Sequence, residues 1–422
     1  MFRRDRAEIS YDNLQPSEIR LIKFKPIDTS SFTIELLKFG IQDLPQYNAL
    51  SYTWGGRQDD VAGSDKVSIH PNLESALMRH YEHFPSQPLW ADALCINQSD
   101  ITERTSQVAR MTEIYRQAKL VFVWLGDEDE TSGLAFDFMR ECARIAFFAH
   151  YRSIQDEIDL YRQDRAELQA AIDAVKGLLD RPYWSRLWIV QEVVLAREAS
   201  IACGDEIIAW NDFQNSFYFL EKCGFSTLLG PGHRVWSNLN HTRAKYGKLA
   251  ERTYFDLTRM LHRTREAKCT DARDKLFGLL GIANEGSDAV FQADYSKTTD
   301  EVYTHLTRQL ILRDQHLDIL GAVGPEQLDT GFPSWVPAWS QSLGCMSLSP
   351  RNFDGSVSYA ASGVHKLDLE EVSDTRHLSV KGVFVDTIKQ AIPTGVDATI
   401  AEWDEDWRNV SLLKMISCWV MD

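Results

Sequence analysis

The stretch Arg181-Pro-Tyr-Trp-Ser-Arg-Leu-Trp-Ile-Val-Gln-Glu-Val-Val-Leu-Ala-Arg197 is the most informative part of this sequence. Pro182 suits the first turn of a helix, where its missing N–H would have no partner. From Trp184 to Ala196 the side chains are apolar on nearly every side, which is typical of a helix buried inside a protein. This pattern predicts one buried helix with Glu192 in its middle.

Glu192 is the unusual residue of this predicted helix. The residues that share its face, at about 3.6 residues per turn, are Ser185, Trp188, Ile189 and Ala196. A buried carboxylate without a partner costs free energy. Glu192 is therefore either neutralised by a structural ion pair or hydrogen bond, or kept for chemistry, and the residue pattern leaves both interpretations open.

Composition limits the classes of protein to consider. The chain has 422 residues, a length that usually divides into about two or three domains. Its formal net charge is −16 and no long basic run occurs, so we expect no nucleic-acid partner.

The cysteines and the hydropathy pattern predict a cytoplasmic protein. The seven cysteines are an odd number, and no C-x-x-C pair or histidine cluster accompanies them, so we expect reduced thiols and no metal site. Charged residues interrupt the first thirty positions, which predicts no signal peptide. No apolar run approaches about 18 residues, so we expect no membrane span.

The order of patterns along the chain predicts an α/β fold. Residues 1–46 form a strand-rich lead-in, with candidate strands at 19–24 and 32–37. Residues 47–210 alternate strands (48–52, 88–94, 120–125 and 199–203) with helices, which favours a parallel sheet, and carry a helical insertion at 132–180. Residues 211–345 read as helices, and 346–422 as a small mixed region with a few short strands and a final helix.

Conspicuous residues follow the candidate strands, where the carboxyl ends of parallel strands form a ligand-binding rim. They lie in Ser51-Tyr-Thr-Trp-Gly55 and in Trp90-Ala-Asp-Ala-Leu-Cys-Ile-Asn-Gln98. Each has a structural interpretation as well: Trp54 could cover a tight turn, Asp92 could accept a hydrogen bond from a loop N–H, and two polar loop residues, Asn97 and Gln98, could be loop caps. The motifs of P-loop ATPases, Rossmann dehydrogenases, α/β-hydrolases and zinc proteases are absent from the sequence, so we expect no cofactor.

Several blocks together resemble the fungal heterokaryon incompatibility (HET) domain. They are Ala49-Leu-Ser-Tyr-Thr-Trp-Gly55, 90–98, Gln107-Val-Ala-Arg-Met111, Val123-Trp-Leu-Gly126 and 181–196, in this order. Segments 270–281, 294–295 and 333–340 resemble those that usually follow this domain. The resemblance implies a role in allorecognition and regulated cell death after fusion of unlike fungal cells.

A more distant resemblance, to Toll/interleukin-receptor (TIR) domains, implies a flavodoxin-like parallel sheet with helices on both faces. In that family a helix glutamate cleaves NAD, and Glu192 matches it, with Ser185 as the helix serine. Trp188 matches a position that is often aromatic. The remaining binding positions implied are Ser51, Tyr52, Trp54, Gly55, Asp92, Cys95, Asn97 and Gln98, at the ends of the first two strands of this domain. The sequence departs from the family in its insertion at 132–180 and in Ile189, which replaces the family cysteine.

Two functions follow from these resemblances. In the first, NAD is a substrate, and Glu192 stabilises the positive charge that develops on ribose as nicotinamide leaves. In the second, the domain is a non-catalytic module that transmits a death signal by self-association or by docking other incompatibility proteins.

Overall fold

The computed structural model describes residues 11–27, 32–54, 69–148, 165–246, 248, 255–324, 331–341, 367, 369–370 and 376–380. The chain divides into two compact units. The first comprises residues 1–257 and 267–294, and the second comprises residues 258–266 and 295–422.

The first unit contains a seven-stranded mixed sheet. Its strands are β1 (Glu18–Pro26), β2 (Phe32–Gly40), β3 (Asn48–Tyr52), β4 (Leu89–Trp90), β5 (Leu120–Trp124), β6 (Ala199–Cys203) and β7 (Glu206–Ala209). The strands lie in the order β2-β1-β4-β3-β5-β6-β7. The middle four are parallel, and β1, β2 and β7 pair antiparallel at the edges. The parallel strands follow the flavodoxin-like order second-first-third-fourth, so the predicted fold class is confirmed.

Complete burial explains the composition of the central strands. Every residue of β3 and of β5 is buried, so both faces of these strands are covered by other parts of the protein. Their pairing runs in register from Asn48 opposite Leu120 to Tyr52 opposite Trp124. Such strands read as continuous apolar runs rather than alternating ones.

The lead-in joins this same sheet. Strand β1 pairs with β2 along all nine residues and contacts β4 through Ile22 opposite Leu89. Arg20 of β1 is buried and donates two hydrogen bonds to the carboxylate of Glu103, at 2.6 and 3.0 Å. It also donates to the carbonyl oxygens of Asp12 and Cys95. The two candidate strands of the lead-in are thus confirmed and are fixed to the parallel core.

Helices connect the strands. In chain order, the helices described up to Lys245 are α1 (Pro71–His83), α2 (Asp92–Cys95), α3 (Ile101–Gln117), α4 (Ser132–Phe148), α5 (Arg165–Leu179), α6 (Ile189–Val194), α7 (Trp210–Lys222) and α8 (Gly230–Lys245). Asp100 caps α3 by accepting hydrogen bonds from the N–H groups of Thr102 and Glu103. Within the described residues no helix combines the length and the apolar character needed to cross a membrane.

The single long helix expected from 184 to 196 is wrong. A 3₁₀ helix at Pro182–Ser185 is followed by extended backbone at Arg186, and α6 begins only at Ile189. Here the Leu187 N–H donates to the Lys268 carbonyl at 2.9 Å, and the Lys268 N–H donates to Ser185 at 2.6 Å. Backbone hydrogen bonds to a distant segment therefore replace those that would continue the helix.

The strand expected from 88 to 94 is shorter than expected. It consists of Leu89 and Trp90, and the chain then turns into α2 because the N–H groups of Leu94 and Cys95 donate to the Ala91 carbonyl. Asp92 therefore begins a short helix and does not lie within a strand.

The remaining helices are α9 (Leu257–Arg263), α10 (Asp274–Leu280) and α11 (Thr299–Asp314). In the second unit, Arg265 donates to the carbonyl oxygens of Ala322, Ala338 and Gln341. Two short strands, β8 (Leu369–Glu370) and β9 (Ser379–Val380), pair antiparallel there, as expected for that region. The final helix expected at 400–422 and part of the insertion, 149–164, lie outside the described residues.

Candidate functional site

Glu192 lies against the carboxyl end of β3. The Ser51 hydroxyl donates to Glu192 Oε2, and Arg186 Nη2 lies 3.5 Å from Glu192 Oε1. Tyr183 lies 2.7 Å from the Ser51 oxygen. Because the single hydroxyl hydrogen of Ser51 is directed at Glu192, the Tyr183 hydroxyl is the donor in that contact. Both carboxylate oxygens of Glu192 therefore have partners.

Glu192 is enclosed by protein, with 1% of its surface exposed. Burial raises the pKa of Glu192 above its ordinary value, although the Arg186 guanidinium and the Ser51 hydroxyl favour the charged form. Burial likewise raises the pKa of Tyr183, and the neighbouring Glu192 charge adds to that shift. Burial therefore opposes the charged form of this carboxylate, and Arg186 and Ser51 are the groups that support it.

Asp92 forms the second half of the site. Its Oδ2 accepts from Trp54 Nε1 at 2.9 Å, and its Oδ1 accepts from the Ala93 N–H at 2.8 Å. Tyr52 also hydrogen-bonds to this carboxylate, and Arg186 attracts it electrostatically. Burial raises the pKa of Asp92 despite these contacts. Ser51, Tyr52, Asp92, Tyr183, Arg186 and Glu192 are called the rim cluster below.

One guanidinium thus serves two carboxylates in the rim cluster. Arg186 Nη1 is buried and has no hydrogen-bond partner in the described residues. Trp54 lies beside Asp92, to which its ring N–H donates, and 43% of its surface is exposed. In this conformation protein groups occupy both carboxylate oxygens of Glu192, whereas Asp92 remains partly exposed.

Three predicted binding residues have structural contacts instead. Cys95 is fully buried, and burial raises the pKa of its thiol to about 12, so it stays protonated. Asn97 Oδ1 accepts from the Ser99 N–H at 3.2 Å, and Gln98 Nε2 donates to the Asp92 carbonyl at 3.0 Å. The interpretation of Asn97 and Gln98 as loop caps agrees with these bonds.

Two further predicted residues point away from Glu192. The Ser185 hydroxyl donates to the Pro182 carbonyl at 2.8 Å, and Trp188 Nε1 donates to Asp274 at 3.1 Å. The extended backbone at Arg186 separates Ser185 from the helix that carries Glu192. The prediction that Ser185 and Glu192 share one helix face is therefore wrong. Gly55 lies outside the described residues.

Helix α6 is held at its carboxyl end by a distant arginine. Arg243 of α8 donates to the carbonyl oxygens of Val193, Ala196 and Arg197. A cation at this end of a helix pairs with the unbonded carbonyl groups and with the helix dipole. Arg243 is a positioning residue for the helix that carries Glu192.

The sequence-based reasoning missed Arg186 as a partner of Glu192 and Tyr183 as a partner of Ser51. Both lie within the stretch 181–197 that predicted a buried helix. The available signal was the coexistence of a single arginine and a single glutamate within the apolar run 184–196, which favours their pairing.

Comparisons with known proteins show what parts of this chain are similar to. Residues 47–192 match the family model described as Heterokaryon incompatibility protein (HET). By this match, residues 47–192 are a HET domain. The match begins at the residue where the predicted domain began and ends at Glu192.

A curated relative extends the similarity of this HET-domain protein beyond the family match. It is the Neurospora crassa protein named Heterokaryon incompatibility protein 6, OR allele, which is 26% identical over 93% of this chain and 68% of the relative. No solved structure matches the chain. In the described residues no group of three or more His, Cys, Asp or Glu side chains could hold a metal ion.

Proposed function

We propose that this HET-domain protein acts in heterokaryon incompatibility, in allorecognition and regulated cell death after fusion of unlike fungal cells. In this proposal the HET domain transmits the signal through protein contacts, by self-association or by docking other incompatibility proteins. The family match and the similarity along nearly the whole chain support the biological role. The state of Glu192 supports the mode of action.

Glu192 is the observation that carries the signalling role. A carboxylate that stabilises charge on a ribose must touch that ribose, because such stabilisation depends on short distances inside the site. Here Ser51 and Arg186 occupy its oxygens, and 1% of the residue is exposed. The geometry is that of a structural ion pair holding α6 against β3.

Cell death on overexpression in a fungal host tests this role. We expect Glu192→Gln to remain toxic, since Gln keeps the shape of the side chain and one of its two accepting oxygens at that position. Exposed apolar side chains are where protein contacts would form, and Phe147 on α4 is 67% exposed. We therefore expect Phe147→Glu to reduce toxicity at equal protein abundance. Loss of toxicity in Glu192→Gln with no loss in Phe147→Glu would contradict the signalling role.

A second candidate is cleavage of the bond between nicotinamide and ribose in NAD. Its support is the placement of two carboxylates, Asp92 and Glu192, at the carboxyl ends of adjacent parallel strands, with the exposed Trp54 beside Asp92. Nicotinamide is a neutral leaving group once the bond breaks, so the demand on the protein is to stabilise positive charge on ribose. This chemistry requires Arg186 to withdraw from Glu192.

Consumption of NAD by the purified full chain distinguishes the two candidates. We expect no loss of NAD at any protein concentration for the signalling module. Hydrolysis that rises with protein concentration and disappears in Glu192→Gln would replace signalling with catalysis. Hydrolysis that persists in Glu192→Gln would exclude Glu192 as the catalytic residue.

A further inference from the structure

A cavity of about 860 Å³ lies within the first unit, apart from the rim cluster. Its walls come from α3, α6, α10, and the segments that follow α8 and α10. Gln191 of α6 lines it, whereas the adjacent Glu192 faces β3. No rim-cluster residue is among the lining residues in the described part of the chain. The cavity has the size of a site for a small organic molecule, about 300–1,000 Å³.

The charge of the cavity is opposite to that of the whole protein. Arg116 and Lys248 line it, and no Asp or Glu is among its lining residues in the described ranges. The chain carries a formal net charge of −16, so a carboxylate-free wall with two cations is unusual here. Arg116 Nη2 donates to the Tyr246 hydroxyl at 2.7 Å, which orients the guanidinium at this wall. Such a pair of cations favours a phosphate or a carboxylate group.

Aromatic side chains form another part of the wall. Tyr246, Phe255 and Phe277 line the cavity, and the first two rings meet edge to face with centroids 5.4 Å apart. Rings fixed in this way offer apolar faces to a planar group at little cost in side-chain entropy. The cavity therefore combines an anion-binding side with a surface for a flat ring.

Gln191 supplies an unused polar group. It is 2% exposed, its Nε2 donates to Thr112 Oγ1 at 2.5 Å, and its Oε1 has no hydrogen-bond partner in the described residues. Reversing the amide would leave its NH₂ group without a partner instead, so one end stays unsatisfied in either orientation. Gly281 permits this crowding, since a Cβ there would lie 1.7 Å from Gln191 Nε2. A buried polar group that lines a cavity and lacks a partner favours a polar ligand.

We propose that this cavity binds a nucleoside monophosphate, with the phosphate at Arg116 and Lys248 and the base against the aromatic wall. An N–H or NH₂ group of the base donates to the Gln191 amide. Each feature of the cavity matches a part of this class of ligand. The volume fits its size, the two cations fit its phosphate, and the ring faces and the unpaired amide fit its base. The inference does not depend on the proposed function, because the rim cluster takes no part in it.

Calorimetric titration of the full chain with AMP, adenosine and ribose 5-phosphate tests the site. We expect AMP to bind at least about tenfold more tightly than adenosine, since a charge-assisted hydrogen bond to the phosphate contributes about that factor. We expect it also to bind more tightly than ribose 5-phosphate, which lacks the base that packs against the aromatic wall. Adenosine binding as tightly as AMP would exclude the anion site. Ribose 5-phosphate binding as tightly as AMP would exclude the ring site, and absence of AMP binding would overturn the whole proposal.

Variants on α3 locate the binding. Arg116→Gln is expected to weaken AMP binding about tenfold or more. Arg110→Gln is the matched control and is expected to leave the affinity for AMP unchanged. Arg110 pairs with Glu113 at 4.0 Å and is not among the lining residues. Ala109 lines the cavity at an exposed position of the helix, so Ala109→Glu adds a repelling charge without disturbing the core, and Ala109→Gln is its neutral control.

The outcome for these variants decides the proposal. AMP affinity that is unchanged in both Arg116→Gln and Ala109→Glu overturns it, even where AMP binds elsewhere on the protein. Glu192→Gln is expected to bind AMP as the unaltered chain does. Loss of AMP binding in Glu192→Gln, with binding retained in Ala109→Glu, would place the nucleotide at the rim cluster and also overturn it.

Discussion

The ion pair between Arg186 and Glu192 should be the most sensitive point of the first unit. Arg186→Met removes the guanidinium but keeps an apolar stem of similar length. Two carboxylates, Asp92 and Glu192, then lose their shared positive charge inside the protein. Breaking a buried pair by removing one partner costs about 3–5 kcal/mol, because the remaining charge has no compensation. We expect the free energy of unfolding to fall by that amount.

A double-mutant cycle separates the pair from other effects of the substitution. In Glu192→Gln the side chain is neutral, so removing Arg186 leaves one uncompensated carboxylate instead of two. We therefore expect Arg186→Met to cost about 2 kcal/mol less in the Glu192→Gln background than in the unaltered chain, which is within the usual range for contacting residues. Some cost should persist, because Asp92 stays in place.

Hydrogen exchange as a function of urea measures these free energies for β3 and α6 specifically. A whole-molecule signal would mix the transitions of two compact units. Arg140→Met is the control, since Arg140 pairs with Asp137 and Glu206 while 41% of its side chain is exposed. Exposed pairs contribute about 0–1 kcal/mol. A loss in Arg186→Met no greater than in Arg140→Met, or a cycle energy near zero, would refute the reasoning.

Three further predictions concern the packing around the sheet. Burial lowers the pKa of His80 to about 3, so the folded state resists a protonation that the unfolded state accepts below about pH 6.5. The free energy of unfolding should therefore fall by about 2 kcal/mol as the pH drops from 7 to 5. Urea titrations at the two pH values measure this loss, and His80→Phe should lack it. Arg20→Met should cost about 3–5 kcal/mol by leaving Glu103 without its buried partner, and a midpoint of thermal unfolding within one degree or so of the unaltered chain would contradict this. Gly126→Ala should cost about 1–3 kcal/mol because Gly126 has a φ of 106°, whereas Gly177→Ala, in the open interior of α5, should stabilise the protein by about 0.5–1 kcal/mol in the same denaturation assay.

The parallel core was predictable because each of its strands has a local signature. The strands at 48–52 and 120–124 are covered on both faces. Such burial imposes a largely apolar pattern that a sequence displays directly, unbroken at 120–124 and interrupted by Asn48 and Ser51 in the other strand. The cap of α3 was equally visible, since Asp100 needs only its immediate neighbours as donors. Features determined within a few residues could be inferred without the structure.

The break at Arg186 could not be inferred in this way. It depends on backbone hydrogen bonds to Lys268, about eighty positions further along the chain. The helix propensity of the residues around Arg186 does not predict hydrogen bonds to so distant a segment. The partnership of Arg186 with Glu192 depends on the same break, because extended backbone at Arg186 and not a continuous helix precedes the start of α6. Asp92 was misplaced for a related reason, since the two-residue strand before it is too short to have a periodicity. Tertiary hydrogen bonding therefore decided the site more than sequence pattern did.

The pairing of β1 with β4 has a practical consequence for anyone who wishes to isolate the HET domain. A fragment cut at the limits of the family match, 47–192, would lack β1 and β2 on one side and β6 and β7 on the other. It would keep three strands and expose the backbone hydrogen-bonding groups of β4 and β5 as edge strands. Exposed edge strands pair between molecules and cause aggregation. A fragment spanning 11–294 keeps both protecting hairpins and is the better starting point for expression.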